Sequence, residues 1–464
     1  MERIIMEAKE MVAALIERAR AAQKIAEGYS QEKVDELVKA VSWAIVKKEN
    51  SEKIANLAVD ESRLGNYEGK YGKLQKKIRG VVRDLDGVKS VGIIERDEAK
   101  GLIKIAKPVG VIGALVPCTN PEATPVIKAI SAIKGRNAII FAPHPRTKKT
   151  NTLIVNIMRD ALKRHGAPED LVIGIEEPTV QSSGELMAQC DLVVATGGAG
   201  MVKAAYSSGT PAYGVGAGNV VVVVDDTADI KDSAKKIMLS KTFDYATSCS
   251  ADNNIVLIDA VYSKMVDALK AEGGYMCTSE EKAKLQKVVF PDNHLGRDHV
   301  GQSAQKIASL AGFKIPEGTK FIMVEEDGVG ASHPFSGEKM SVIAAVHKVR
   351  DFKAAVEKVN AITSYQGPGH SCGLYSNDMG RIEEFGIKTK TSRVMIRQPQ
   401  VFGNSGNWDN GLPFTLTLGC GTWGGNISNE NITWKHFINT TWLSMPIPEV
   451  IPNDEDLFGD IMKE

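Results

Sequence analysis

The segment Phe243-Asp244-Tyr245-Ala246-Thr247-Ser248-Cys249-Ser250 sets a thiol in a loop, after a helical pattern and before a strand that begins at Asn254. A cysteine among polar neighbours suits an accessible thiolate that attacks an electrophilic carbon. Most free cysteines are instead small core hydrophobes, and this chain has six, at positions 118, 190, 249, 277, 372 and 420. Cys190, just before an apolar strand, and Cys372, within one, fit that ordinary use. Cys118 and Cys420 lie in loops beside Gly, Asn or Pro and stay open as alternatives to Cys249. A second kind of chemistry is offered by Ala195-Thr196-Gly197-Gly198-Ala199-Gly200, which follows a strand and precedes a helix starting near Met201. Backbone amides there can approach a pyrophosphate at a helix N-terminus, although plain turns use the same residues. Gly214-Val215-Gly216-Ala217-Gly218 lies between two strands, and no G-x-G-x-x-G opens a helix, so the usual dinucleotide fingerprint fails.

The elements that must hold these groups follow from hydrophobic period. Val34, Leu37, Val38, Val41 and Ile45 recur on one helical face after Ser30, a suitable N-cap. Runs at 91–95 and 102–106, split by a charged turn, read as a hairpin of the kind that serves assembly. Short, fully apolar strands then alternate with helices at 109–116, 138–142, 171–175, 192–195 and 220–224. Such strands are buried on both faces of a parallel sheet. A second α/β pattern begins near Ile230, with strands at 254–258, 342–346, 372–375 and 394–396. The expected division is 1–230 for the N-terminal helices, assembly hairpin and dinucleotide-binding domain, 231–430 for the domain carrying the cysteine, and 431–464 for an assembly tail.

The 464 residues are 43% hydrophobic and 25% charged, which is ordinary globular usage, with 57 basic against 57 acidic residues. Zero formal net charge removes the electrostatic case for nucleic acid or an anionic membrane as a partner. No apolar run approaches the ~20 residues of a membrane helix, and the N-terminus does not read as a signal peptide. A cytoplasmic protein is expected. Scattered cysteines with no C-x-x-C fit reduced thiols rather than bridges or a metal site.

Taken in order, Val116-Pro117-Cys118-Thr119-Asn120-Pro121, Lys134-Gly135-Arg136-Asn137, Ala142-Pro143-His144-Pro145, Ala195-Thr196-Gly197-Gly198, Lys203-Ala204-Ala205-Tyr206, Gly214-Val215-Gly216-Ala217-Gly218-Asn219, Gly369-His370-Ser371 and Leu418-Gly419-Cys420-Gly421-Thr422-Trp423 resemble the aldehyde dehydrogenase superfamily. Within it they resemble the CoA-acylating branch, which includes one half of the bifunctional aldehyde/alcohol dehydrogenases and the CoA-dependent succinate semialdehyde dehydrogenases. The likeness covers nearly the whole chain. It implies an α/β fold of two Rossmann-like open-sheet domains with a small assembly hairpin, and assembly as a homodimer or homotetramer. It also implies NAD or NADP, with coenzyme A as co-substrate.

By the same resemblance Cys249 is the nucleophile, and Asn120 is the oxyanion donor together with the Cys249 backbone N–H. Glu338, in Gly337-Glu338-Lys339-Met340, is the carboxylate that orients the nicotinamide ribose. Pro143, His144, Pro145, Thr196, Gly197, Gly198 and Gly216 fall at dinucleotide-contacting positions. His370 would assist proton movement or hold the cofactors. Hydrolytic members activate water with a glutamate in Glu-Leu-Gly-Gly, whereas residues 213–218 here hold no carboxylate, so the resemblance implies transfer to the CoA thiol. Hydrolytic relatives also place Lys and Glu where this chain has Ala142 and Pro145, which leaves NAD as the branch default. Arg393 and Arg397, four apart on a strand, and Thr247 and Ser248 beside the cysteine suit an anionic substrate tail; Arg397 is the expected tail contact. The Thr-Ser-Cys-Ser loop and the end of the chain resemble members acting on sulfoacetaldehyde more than those acting on acetaldehyde or succinate semialdehyde. A hydrolytic enzyme and a non-catalytic assembly protein on the same fold are the competing readings.

Overall fold

The computed structural model describes residues 2–463. Four helices open the chain: α1 (Glu2–Ala26), α2 (Gln31–Val46), α3 (Lys48–Ser62) and α4 (Tyr67–Leu85). Ser30 caps α2, its Oγ accepting from the Lys33 N–H, and the apolar face that follows it is buried. Asn66 caps α4 in the same way, accepting from the Gly69 N–H at 2.7 Å. These helices share one buried apolar cluster with the first of two parallel sheets.

β1 (Gly92–Asp97) and β2 (Leu102–Pro108) form the expected antiparallel hairpin. The first parallel sheet comprises β3 (Val111–Val116), β4 (Ala138–Pro143), β5 (Val172–Gly174), β6 (Leu192–Thr196) and β7 (Ala212–Val215), in the order β5-β4-β3-β6-β7. The order reverses beside β3, and the crevice outside the carboxyl ends at such a point is where open α/β sheets take ligands.

The second sheet holds β8 (Val220–Val224), β9 (Asp252–Ile258), β10 (Gly274–Met276), β11 (Phe321–Glu325), β12 (Ile343–Val349), β13 (Cys372–Tyr375) and β14 (Val394–Ile396), in the order β10-β11-β12-β9-β8-β13-β14. Here the structure corrects an expectation. The sequence pattern groups β8 with the first domain, yet it pairs with β9 and β13 in the middle of the second sheet. Five successive valines suit any doubly covered strand, so their composition does not say which sheet takes them. Val222 and Val224 pack into one apolar cluster and Val221 and Val223 into another, as alternation across a sheet requires. The chain therefore crosses between sheets just before Val220, not at residue 230.

The segment 431–464 is not a single tail. Ile432 and Phe437 are buried in the first apolar cluster. β15 (Ile438–Ser444) then pairs with β2 along its whole length, Ile438 opposite Pro108 and Ser444 opposite Leu102, and residues 445–463 are exposed. Among the described residues no helix is long and apolar enough to cross a membrane.

Candidate active site

Cys249, His370 and Gly218 stand a few residues before β9, β13 and β8. Because β9, β8 and β13 are neighbours, the parallel sheet brings all three to its amino end. His370 Nε2 lies 3.2 Å from Cys249 Sγ, and His370 Nδ1 lies 2.8 Å from Ser371 Oγ. In the tautomer with the proton on Nδ1, that N–H donates to Ser371 and Nε2 faces the thiol as an acceptor. The approach is close enough to require glycine at 218: a Cβ there would lie 2.2 Å from the Cys249 carbonyl oxygen and 3.1 Å from His370 Cδ2.

Burial pushes the Cys249 thiol up to about 12, helped by the nearby charges of Glu338 and Cys420. Burial also holds the His370 imidazole down to about 3, with the Arg393 guanidinium adding to the effect. At rest the pair is therefore a neutral thiol beside a neutral imidazole. Arg393 is buried, its Nη2 donating to the carbonyl oxygens of His370 (2.9 Å) and Gly419 (2.8 Å), so it ties the histidine loop to the segment bearing Cys420. Cys420 is buried beside this site, and partly exposed Cys118 follows β3.

Asn120 follows β3, and its surroundings were not legible in the sequence. Lys73 of α4 donates to Asn120 Oδ1 (2.5 Å) and to Asp244 Oδ2 (2.6 Å), and pairs with Glu122 Oε1 (2.7 Å). Lys70, one turn earlier, pairs with Asp244 (2.9 Å) and donates to the Thr119 carbonyl (2.6 Å). All four charged side chains are buried, and their formal charges cancel. Burial alone would raise the Asp244 carboxyl, but the two ammonium groups hold it below its ordinary value. Asp244, Tyr245 and Ala246 take positive φ in succession (50°, 48°, 59°), a left-handed path that non-glycine residues rarely follow. Gly69 makes room for it, since a Cβ there would meet the Asp244 backbone at 2.7 Å. The only sequence signal for this cluster was the spacing of Lys70, Lys73 and Lys77 on one helical face, which ordinarily marks a solvated stripe.

A cavity of about 630 Å³ opens between the two sheets, lined by Lys203, Gly216, Ala217, Glu338, Gly367 and Cys420 among others. Burial pushes the Glu338 carboxyl up to about 8, while the Gly218 backbone N–H and the nearby Lys339 and Lys241 work in the opposite sense. Thr196, Gly197 and Gly198 lie at the end of β6 and lead into the helix Ala199–Tyr206, which forms one wall. Pro143, His144 and Pro145 lie at the end of β4, two strands away and outside this cavity. A dinucleotide fits this layout: strand carboxyl ends and a helix N-terminus on one side, the partly exposed Glu338 carboxyl on the other.

Two expectations about an anionic tail fail. Arg397 is exposed, has left the strand at φ 52°, and its Nη1 donates to Asn377 Oδ1 at 2.8 Å. Its backbone N–H bonds the Leu374 carbonyl, at the carboxyl end of the sheet. Cys249 stands at the amino end, so at ~3.3 Å per residue the two lie well over 10 Å apart. The shared face of Arg393 and Arg397 required extended backbone through 397, and the turn there breaks it; Arg393, at the strand's entrance, is the arginine beside the site. Thr247 is buried and its Oγ1 donates to Asp244 Oδ2 (2.6 Å), so its hydroxyl proton serves the loop. Ser248 stays partly exposed, its Oγ accepting from the Ser250 N–H.

The sequence matches the aldehyde dehydrogenase family over residues 2–283. It is 45% identical to a sulfoacetaldehyde dehydrogenase of an Acholeplasma species, over 98% of this chain and 95% of the relative. It is also 45% identical to an acylating sulfoacetaldehyde dehydrogenase of Bilophila wadsworthia, over 97% and 98%. An acetylating aldehyde dehydrogenase from Geobacillus thermoglucosidasius superposes with a TM-score of 0.93 at 37% identity, covering 97% of this chain and 99% of its own. A Rhodopseudomonas palustris propionaldehyde dehydrogenase, solved with bound CoA and an acylated cysteine, superposes at 0.86 with 27% identity, covering 94% and 97%.

Proposed function

The chain belongs to the aldehyde dehydrogenase family, and from that membership we propose that it oxidises sulfoacetaldehyde to its acyl-CoA through a thioester on Cys249. The observation that carries the acylating reading is the pairing of Cys249 with His370 at 3.2 Å, beside a 213–218 segment that holds no carboxylate. Glu338, whose carboxyl is pushed up to about 8 by burial, is assigned to the nicotinamide ribose and not to water. The relatives acting on sulfoacetaldehyde support the substrate, as does the bound CoA of the propionaldehyde enzyme for the acceptor.

The chain's own groups divide the work. His370 Nε2, 3.2 Å from Sγ, takes the Cys249 proton as the sulfur attacks the aldehyde carbon, so no free thiolate–imidazolium pair has to form first. Asn120 Nδ2 and the Cys249 backbone N–H hold the developing alkoxide. Bound NAD or NADP supplies the hydride acceptor. Residues 213–218 hold no carboxylate to activate water against the remaining thioester; His370 releases the first proton to solvent, deprotonates the CoA thiol, and returns that proton to the Cys249 sulfur that CoA displaces. Glu338 with Gly216 holds the nicotinamide end, the Thr196–Gly198 turn the phosphates, and Pro143, His144 and Pro145 the adenosine end. Ser248 is the part of the nucleophile loop offered to the sulfonate. The reading includes a homodimer or homotetramer, supported by exposed apolar residues after β2's partner strand, Met445, Ile447, Val450 and Ile451. It also includes a cytoplasmic location, supported by six unbridged cysteines.

The test is absorbance of the reduced dinucleotide with sulfoacetaldehyde, acetaldehyde and succinate semialdehyde, each with and without CoA. Turnover is expected only with CoA, highest in kcat/KM for sulfoacetaldehyde, with acyl-CoA as product by mass spectrometry. Full turnover without a thiol would make the enzyme hydrolytic. A preference for succinate semialdehyde or acetaldehyde would move the substrate to that alternative.

A further inference from the structure

We propose that Lys73 is a positioning residue that fixes which end of the Asn120 carboxamide meets the substrate oxygen. This rests on the reading of Asn120 as the oxyanion donor. A carboxamide has an acceptor end and a donor end, and only the donor end stabilises an alkoxide. The two ends are nearly isosteric, so shape alone does not choose between them.

The ammonium chooses. It can only donate, so the Asn120 atom 2.5 Å from Nζ must be the oxygen, which turns Nδ2 the other way. Among the described residues Nδ2 makes one hydrogen bond, a long 3.4 Å approach to Thr119 Oγ1, which leaves its second N–H for a substrate oxygen. Lys73 has three N–H donors, two of which go to Asn120 Oδ1 and Asp244 Oδ2, and its ammonium forms an ion pair with Glu122 Oε1 at 2.7 Å. Burial would lower its pKa, but Asp244 and Glu122 outweigh burial and raise it, so the group stays charged and keeps all three donors. The geometry thus stands on a tripod, with one leg on the oxyanion loop and another on Asp244. Asp244 Oδ2 also accepts from Thr247, two residues from the nucleophile. One cation therefore sets the amide and the thiol loop relative to each other. It also polarises the amide from its oxygen side, which strengthens the N–H donor.

The test is a double-mutant cycle in kcat for the full chain. Lys73→Met is combined with Glu122→Gln, removing one charge of each sign and leaving the Lys70–Asp244 pair in place. In the parent this pair of changes is expected to lower kcat by roughly 10- to 100-fold with little change in KM, approaching the loss from Asn120→Ala. In the Asn120→Ala background it is expected to cause almost no further loss, because the amide it orients is gone. Iodoacetamide labelling of Cys249 is expected to proceed at the parent rate, which a general collapse of the loop would not allow. Losses that multiply across the two backgrounds would overturn the proposal, as would an unchanged kcat. If Asn120→Ala alone left kcat unchanged, the oxyanion reading itself would fall and this inference with it. Should the paired variant not fold, Lys73→Arg keeps the cation but moves its donors; it is expected to lower kcat at constant KM, and parent-like kcat would overturn the proposal.

Discussion

A thiol held near 12 beside an imidazole held near 3 is a resting nucleophile. The raised thiol value means that the thiolate fraction grows as pH rises and is small at neutrality. In the cofactor-free protein, alkylation of Cys249 is expected to be slow at pH 7 and to climb about tenfold per pH unit without a plateau below pH 9. Mass-mapped iodoacetamide labelling across pH checks this, and a plateau near pH 7 would mean that the thiol is already activated. Motif and resemblance single out Cys249, His370, Asn120 and Glu338, and of these the structure brings Cys249 and His370 within 3.2 Å. Arg397 could not be sorted from Arg393, because that choice turned on one left-handed residue at the end of β14. Lys73 was invisible for another reason: a lysine on a helix face is nearly always solvated, and only its carboxylate partners, more than forty residues away in sequence, make burial tolerable.

At the scale of elements, the site depends on three strand beginnings and one helix face. Most strands were signalled by apolar runs, but β7, β10 and β11 were not, and Gly214 and Val215, expected between strands, lie in β7; the hairpin and the Ser30 cap formed where expected. Membership of a sheet was not signalled, since five valines pack equally well in either. β15 was missed because Asn439, Thr440 and Thr441 make it look like a polar loop, whereas its backbone bonds to β2 form it. The turn before β8 carries the sharpest consequence for catalysis. Gly218→Ala would force a carbon against the Cys249 carbonyl, 2.2 Å away, and the backbone must yield by about an ångström. A kcat loss of ~10²-fold is expected, since displacement of that size misaligns a reacting group. Unchanged far-ultraviolet circular dichroism alongside that loss would place the damage in the site; parent-like kcat would show that the loop accommodates a methyl group.

For the whole molecule, the cavity is shared by both sheets, so neither half alone completes the site. The three-stranded arm is likewise built from distant parts: β1 and β2 come from near residue 100, and β15 from near residue 440. A chain ended at Phe437 keeps both parallel sheets but leaves one edge of β2 without a partner. Such a chain is expected to form soluble aggregates in light scattering that the full chain does not; a truncated chain as monodisperse as the full chain would show that the arm is dispensable. The same arrangement sets an order of events during synthesis. Ribosomes deliver β2 long before β15, roughly 330 residues later at ~5–20 residues per second, so the edge of β2 waits for tens of seconds with its amides and carbonyls unpaired. During that interval the nascent chain can satisfy the edge with a strand from a neighbour on the same message. Chaperone demand in the cell should therefore track translation speed through the roughly 330 codons between β2 and β15, rather than the stability of the finished enzyme.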